Sequence, residues 1–584
     1  MVFKGAEMVI ESLRKEKVDT IFAYPGGAVI PIFDVLFDAD DINVVLTRHE
    51  QAAVHAADAY ARTTGKTGVC IVTSGPGATN TVTGLATANF DSVPLVCISG
   101  QVPRNMIGND AFQEADTVGI TRPVTKHNYI VTKRENLGKT LREAFHIAST
   151  GRPGPVVVDI PKDILYQPLE ETYPEDVNLQ GYTSPGKGHA GQLKRAVTAV
   201  NDAKKPLFFA GGGINVGDSS KIFRNIIEKT GIPVVTSLMG IGALETKNPL
   251  NLGMIGMHGT YAANLAVSEC DLLFGIGVRF DDRVTMNLEK FAPLAKIIHL
   301  DIDPSAIARN VPVEIPIVGD AKIVLEELYP LLDKKDRPAW HKTIKEWKDE
   351  AICINAYEGF NAKEDDSSYL MPYQVISTVN RTFPDAIVTT EVGQNQMWTA
   401  LFWNFKEPRT LITSGGLGTM GYGFPAAIGA AIACKDRRVV AIAGDGSFQM
   451  NLQELATAVK CRLPIVIVIL NNGYLGMVRQ WQQMFNGGRY SSTHLNDRIK
   501  ADKEDKVSPD GSPDFVKLAD AYGAEGCRVR SKSELEDALK KAAALTDVPI
   551  IIDCLIEPEA NVWPMVSPGA GLDEMVFCIE KEEE

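Results

Sequence analysis

At 584 residues the chain is too long for one core and is sized for about three or four domains, and its 45% hydrophobic and 23% charged content excludes a disordered or fibrous chain. The net charge of −14 gives no basic surface for nucleic acid and no basic arm for a membrane. Nine cysteines without a CxxC pair, and a start that resembles neither a signal peptide nor a transit segment, lead to the expectation of a cytoplasmic protein with reduced, buried thiols.

Through residues 1–180, helical patterns alternate with short apolar runs. The runs 43–46, 68–73, 93–99 and 154–161 read as buried parallel strands bounded by turn residues, and Glu50 opens an Ala-rich helix just after the first of them. A polar stretch then leads into a second segment, 190–345, where 206–210, 233–236, 271–275 and 296–300 repeat the strand pattern. Charged residues 333–350 and polar residues 361–368 read as a linker region. Residues 370–557 form a third segment, with a tail at 558–584. This alternation predicts an α/β fold of three doubly wound parallel-sheet domains. Two Gly-rich strand-to-helix turns, 73–80 and 414–423, suggest that the outer segments are distant duplicates of one domain.

The third segment carries the chemistry. Its apolar run 438–443 closes on Gly444-Asp445-Gly446, residues 447–459 follow helical spacing, and a second apolar run, 463–470, ends at Asn471-Asn472. In a strand-helix-strand unit both strand ends reach the same sheet edge. Asp445 and Asn472 can therefore give hard oxygen ligands to one Mg²⁺, which completes its octahedron with phosphate, water and a backbone carbonyl. The glycines beside Asp445 let a diphosphate approach the backbone, and the helix N-terminus behind them favours its charge. Gly-Asp-Gly alone would mean only a turn. The Asn-Asn pair behind a second strand points to a magnesium diphosphate.

This arrangement resembles the thiamine diphosphate (ThDP) signature, which runs from GDG to NN. Over about residues 1–570 the chain is similar to catalytic large subunits of the acetohydroxyacid synthase (acetolactate synthase) family. The similarity is carried by Tyr24-Pro-Gly-Gly27, Arg48-His-Glu-Gln51, Asp110-Ala-Phe-Gln-Glu114, Gly256-Met-His-Gly259, Arg279-Phe-Asp-Asp-Arg283, Glu391-Val-Gly-Gln394, Gly473-Tyr-Leu-Gly-Met-Val-Arg-Gln-Trp481 and Asn561-Val-Trp-Pro-Met565. It implies that Glu50 polarises the cofactor pyrimidine, that Gly26 and Gly27 flank the reacting carbon, and that Met420 is the apolar prop beneath ThDP. Gln113, Lys126, Phe112 and Trp481 would line the substrate channel. Gln394, Gly418, Gly444, Gly446, Ser447 and Met477 would also contact ThDP, with Asp445, Asn472 and the Tyr474 carbonyl on Mg²⁺. Taken singly, Glu50 is also an ordinary first-turn glutamate, Met420 ordinary core filler, and Lys126 an ordinary solvated lysine.

A flavin rests on the resemblance alone, since the chain has no GxGxxG. The resemblance assigns FAD, without a redox part in the reaction, to Arg152, Gly212, Met257, His258 and Gly277 together with Arg279, Asp281, Arg283, Asp301 and Asp320. The activity implied is decarboxylation of pyruvate and transfer of the hydroxyethyl unit to pyruvate or 2-oxobutanoate, the first common step of valine, leucine and isoleucine biosynthesis. The alternatives are an FAD-containing ThDP pyruvate oxidase or decarboxylase, or a catalytically silent assembly subunit. Sites shared between chains imply a homodimer or dimer of dimers, and a regulatory small subunit stays open as a partner. A polar stretch at 496–511 departs from the family, whose members usually run shorter there.

Overall fold

The structure, a computed structural model, describes residues 3–169, 173–357, 369–495 and 513–577. The polar stretch 496–511 and the linker residues 361–368 lie outside them. Three six-stranded sheets, each wholly parallel in its pairing, stack helices on both faces. The β-branched runs expected from the sequence form their centres: Val439–Gly444, Val466–Asn471 and Ile550–Leu555 lie adjacent in the C-terminal sheet, with both faces buried. No helix among the described residues is long and apolar enough to cross a membrane.

With the strands of each domain numbered along the chain, the N-terminal sheet has the order 2-1-3-4-6-5, and so does the C-terminal sheet. The central sheet has the order 3-2-1-4-5-6, that of dinucleotide-binding domains. In the outer domains the order reverses between the first and third strands, in the central one between the first and fourth. Those reversals open crevices at the carboxyl ends of the strands, where ligands bind in such sheets.

The outer domains meet through the helices that follow their second strands, Glu50–Thr64 and Gly423–Ala433. Both are rich in alanine and glycine, and the reason is distance: a Cβ on Gly429 would stand 2.0 Å from the Ala56 carbonyl oxygen. The first helix begins where His49 accepts from the Gln51 amide and ends at Gly65, with φ of 75°.

Two stretches differ from the sequence reading. Residues 333–350 do not act as a linker; they lead into and form most of the helix Pro338–Tyr357, which covers the central core. Trp340 and Ile344 are buried there, Trp340 Nε1 donates to the Pro206 carbonyl at 3.2 Å, and Arg337 donates to the Val200 and Ala203 carbonyls at 3.1 Å each. An apolar pair hidden among charges is enough, since burying one isoleucine-sized side chain gives about 1.5–3 kcal/mol. Residues 447–459 are not one helix either. They break into Asp445–Phe448, a 3-10 turn at Leu452–Glu454 and Leu455–Lys460. The break arises because Asn451 Nδ2 donates to the Gly421 carbonyl at 2.7 Å and Glu454 Oε1 accepts from the Arg48 amide at 2.9 Å.

Candidate active site

The Gly-Asp-Gly turn sits at the strand reversal of the C-terminal sheet, between the ends of Ile387–Thr390 and Val439–Gly444. Asp445 is 1% exposed, and burial pushes its carboxyl up to about 7 against the opposing pull of the Gly473 amide, which donates to Oδ2 at 2.9 Å. Asn472 Oδ1 accepts from the Tyr474 amide at 3.1 Å, while its Nδ2 lies 3.5 Å from Gln394 Oε1. Across the crevice, Gly393 adopts φ of 123°, open only to glycine, and a Cβ on Gly444 would approach Asn395 Nδ2 to 3.2 Å. The buried Asn395 Oδ1 has no hydrogen-bond partner among the described residues. Gly446 is pinned under Leu475, and Ser447 Oγ donates to the Gly444 carbonyl at 3.3 Å.

Among the described residues no three His, Cys, Asp or Glu side chains cluster as metal ligands. The donor set here is one carboxylate, one amide oxygen and backbone carbonyls. That set fits Mg²⁺, which leaves most of its shell to phosphate and water, and does not fit an all-protein zinc cage. The buried Asp445 carboxyl, the Asn472 amide oxygen and the unpartnered Asn395 Oδ1 across the crevice form an oxygen-rich pocket that suits a hard cation.

The N-terminal sheet reverses between Thr20–Tyr24 and Gly68–Val72, and Gly26 and Gly27 leave the first of these ends. A Cβ on Gly26 would lie 2.5 Å from Thr73, whereas one on Gly27 would meet nothing within 4 Å. Glu50 is buried at the head of its helix, and Asn80 Nδ2 donates to its Oε2 at 2.9 Å. Gln113 holds φ of 59° in a loop where Phe112 is 87% exposed. Lys126 stands apart from this group. Its ammonium donates to the Ile147 and Thr150 carbonyls at 2.5 and 2.7 Å and to the Tyr182 hydroxyl at 3.0 Å, closing the end of the helix Leu137–Ser149. Burial lowers its pKa.

A cavity of about 930 Å³ lies where the three domains meet at the central sheet's reversal. Every residue that the resemblance assigned to a flavin lines it, together with Gly418, Met477 and Trp481 of the C-terminal domain. Glu50, Gly27, Gln113, Lys126, Met420, Gln394, Gly444, Gly446, Ser447, Asp445, Asn472 and Tyr474 do not. The backbones at its floor touch: a Cβ on Gly211 would stand 2.0 Å from the Gly277 carbonyl, and one on Gly277 2.5 Å from Gly213 Cα. His258 is 5% exposed, neither ring nitrogen has a hydrogen-bond partner among the described residues, and burial lowers it to about 4, so it is neutral. Arg152 pairs with Asp303 at 3.2 Å, Asp281 and Asp301 are raised by burial (Asp301 to about 6), and Asp320 caps the helix Ala321–Leu328. The Arg283 guanidinium lies 5.6 Å from the Trp481 ring centroid. Glycine floor, three arginines, an orphaned buried histidine and a volume near the top of the usual ligand range fit a large anionic dinucleotide such as FAD.

Three consecutive stretches match the thiamine pyrophosphate enzymes: the N-terminal TPP binding domain at residues 3–120, the central domain at 193–328 and the C-terminal TPP binding domain at 391–554. The chain is 48% identical to the acetolactate synthase large subunit of Haemophilus influenzae over 99% of both chains. It is 47% identical to the probable acetolactate synthase large subunit of Methanocaldococcus jannaschii, covering 99% of this chain and 96% of that one. It is 46% identical to the acetolactate synthase isozyme 3 large subunit of Escherichia coli over 98% of both. The chain belongs to the acetolactate synthase large-subunit family of thiamine pyrophosphate enzymes.

Other residues of this thiamine pyrophosphate enzyme were not legible in the sequence. Asp91 accepts from the Gly415 and Gly416 amides at 3.0 and 2.7 Å, holding the Gly-rich turn that bears Gly418 and Met420. Arg62 bridges Asp91 at 3.0 Å and Asp58 at 2.6 Å, and Asp58 also accepts from the Tyr422 hydroxyl at 2.6 Å. This buried, fully paired network joins the outer domains. Glu391 caps the helix behind the same turn, accepting from the Gly421 and Phe424 amides at 2.7 and 3.1 Å, and burial raises it to about 7. A lone Asp or Glu at a helix end carries no periodic signal, so only its contacts reveal it.

Proposed function

We propose that the chain decarboxylates pyruvate and joins the remaining two-carbon unit to a second 2-oxo acid, pyruvate or 2-oxobutanoate, with ThDP, Mg²⁺ and FAD bound. The observation that carries this reading is the buried Asp445–Asn472 oxygen pair beside a three-domain cavity that also presents Met477 and Trp481. When bound, ThDP supplies the carbanion and electron-sink chemistry of the decarboxylation. The chain's residues anchor, orient and exclude. Asp445, Asn472 and the Tyr474 carbonyl would hold Mg²⁺ and through it the diphosphate. Glu50, steadied by Asn80, would exchange a proton at the pyrimidine nitrogen. Arg152, Arg279, Arg283 and His258 would hold the flavin diphosphate and ring system.

A site that uses both Glu50 of the N-terminal domain and Asp445 of the C-terminal domain is read, as the family resemblance implies, as completed by a second copy in a homodimer or a dimer of dimers. A regulatory small subunit fits the large-subunit naming of the relatives. Free buried thiols at Cys70, Cys97, Cys270 and Cys554 support a reducing, cytoplasmic setting. Products formed by the purified protein from pyruvate, with and without 2-oxobutanoate, test the reading. Acetolactate and acetohydroxybutanoate are expected; acetaldehyde or acetyl phosphate would turn it into a decarboxylase or oxidase, and no product would make the chain a silent subunit.

A further inference from the structure

In both outer domains the fourth and sixth strands are neighbours, and the sixth carries a buried aspartate at a matching place. Ser99 pairs in register with Asp159 in the N-terminal sheet, and Ile469 with Asp553 in the C-terminal sheet. Two residues further along each fourth strand stands an amide that donates to that aspartate. Gln101 Nε2 reaches Asp159 Oδ2 at 2.8 Å, and Asn471 Nδ2 reaches Asp553 Oδ1 at 2.9 Å. Asp159 is 1% exposed and Asp553 0%, and burial raises both carboxyls. A carboxyl inside a parallel sheet costs free energy that an apolar side chain would not. Its recurrence at matching positions of two frames with one strand order calls for a local purpose.

The remaining partners give that purpose. Gln101 Nε2 also donates to the Ala115 carbonyl at 2.8 Å, its Oε1 accepts from the Val102 amide at 2.9 Å, and Ser99 Oγ donates to Asp159 Oδ1 at 2.6 Å. Ala115 closes the loop that carries Phe112 and Gln113. Asn471 directly precedes Asn472 and the turn whose Gly473 amide grips Asp445, and Arg528 Nε completes Asp553 at 2.8 Å. We propose that Asp159 and Asp553 are equivalent positioning residues, each locking the fourth-strand amide from which its domain's working loop departs. Asp553 sets the Asn472–Tyr474 ligand turn, and Asp159 sets the Phe112–Ala115 loop. The assignment of what each loop does rests on the cofactor and channel reading above.

Leucine is nearly isosteric with aspartate, so Asp553→Leu and Asp159→Leu remove the acceptor while filling the same space. Two quantities are read on the full-length protein: binding of Mg²⁺ and ThDP to the apo-enzyme by tryptophan fluorescence, and KM for pyruvate at saturating cofactor. Asp553→Leu should weaken cofactor binding about tenfold or more and leave KM within about twofold, while Asp159→Leu should do the reverse, the scale following from an orphaned buried amide. Asp→Asn at each site keeps an acceptor and should recover most of the loss. If a leucine variant does not fold, Asn471→Leu and Gln101→Leu, which delete the donor instead, carry the same expectation. Variants that shift both quantities together, or that lower only the melting temperature, would overturn the proposal. A wild-type chain that binds no ThDP would sink the cofactor reading and this proposal with it, whereas wild-type binding matched by equal binding and KM in all variants would sink the proposal alone.

Discussion

The two outer domains share one strand order, yet their strand reversals are furnished in opposite ways. The C-terminal crevice sets Gly393 and Gln394 against Gly444 and Asp445, with Asn472 on the next strand. The N-terminal crevice sets Gly26 and Gly27 against Thr73, and its next strand ends at Gln101, with no ligand carboxylate on either. Its buried glutamate, Glu50, stands instead at the head of the helix after the second strand. One frame thus carries two furnishings that fit the two roles proposed for it: a carboxylate at a strand end suits a metal diphosphate, and one at a helix head beside an asparagine suits proton exchange. The fold supplies the crevice, and the residues at its rim decide its chemistry.

That contrast is broken most sharply by exchanging the character of each carboxylate. Glu50→Gln should retain Mg²⁺ and ThDP and lose activity by roughly 10²–10⁴-fold, the usual weight of a positioned acid-base group. Asp445→Ala should instead lose cofactor retention, because one of two side-chain oxygen ligands disappears. Equilibrium dialysis against ThDP beside steady-state rates separates the two, and near-normal turnover by Glu50→Gln would end the assignment.

A smaller effect is expected at the cavity mouth. Trp481 stacks on Arg283 and packs edge-on to Phe485 at 5.5 Å between centroids, so it presents a rigid apolar face. One methylene in an apolar pocket discriminates by about 10- to 200-fold. Trp481→Leu should therefore lower the ratio of acetohydroxybutanoate to acetolactate in a mixed-substrate competition by up to that factor. An unchanged ratio, with both products depressed, would reduce Trp481 to a packing residue.

The smallest expected effect sharpens the C-terminal half of the comparison. Asp445 is held near 7 in the fold but titrates near 3.9 when unfolded. The folded chain then binds the proton more tightly, so this group's contribution to apo-protein stability falls as pH rises from about 4 to 7. Mg²⁺ must displace that proton below about pH 7, which weakens its apparent affinity by up to about tenfold per pH unit. Calorimetric melting with and without Mg²⁺ and ThDP should accordingly give a larger shift at pH 8 than at pH 6. Asp445→Asn should remove this group's part of the apo-protein slope.

Three α/β segments, the central strands of each sheet and the Gly-Asp-Gly to Asn-Asn unit were legible in the sequence, because each is written in residues close along the chain. A buried parallel strand announces itself by an unbroken β-branched run, and Asp445 and Asn472 leave the ends of two adjacent strands close along the chain. The helix Pro338–Tyr357 was hidden because its charges outnumber the few apolar residues that decide its burial. Lys126, read as a channel cation, is engaged by the end of a helix that begins well after it in the chain. The Arg62–Asp91 bridge, the Glu391 cap and the paired aspartates 159 and 553 join residues from distant stretches, and a single acid has no period to betray it. The three-domain cavity is the extreme case, assembled from all three domains and carrying no local motif. Short-range periodicity determined the elements; the long-range pairing of buried polar groups, settled only when the domains pack, decided where the working residues stand.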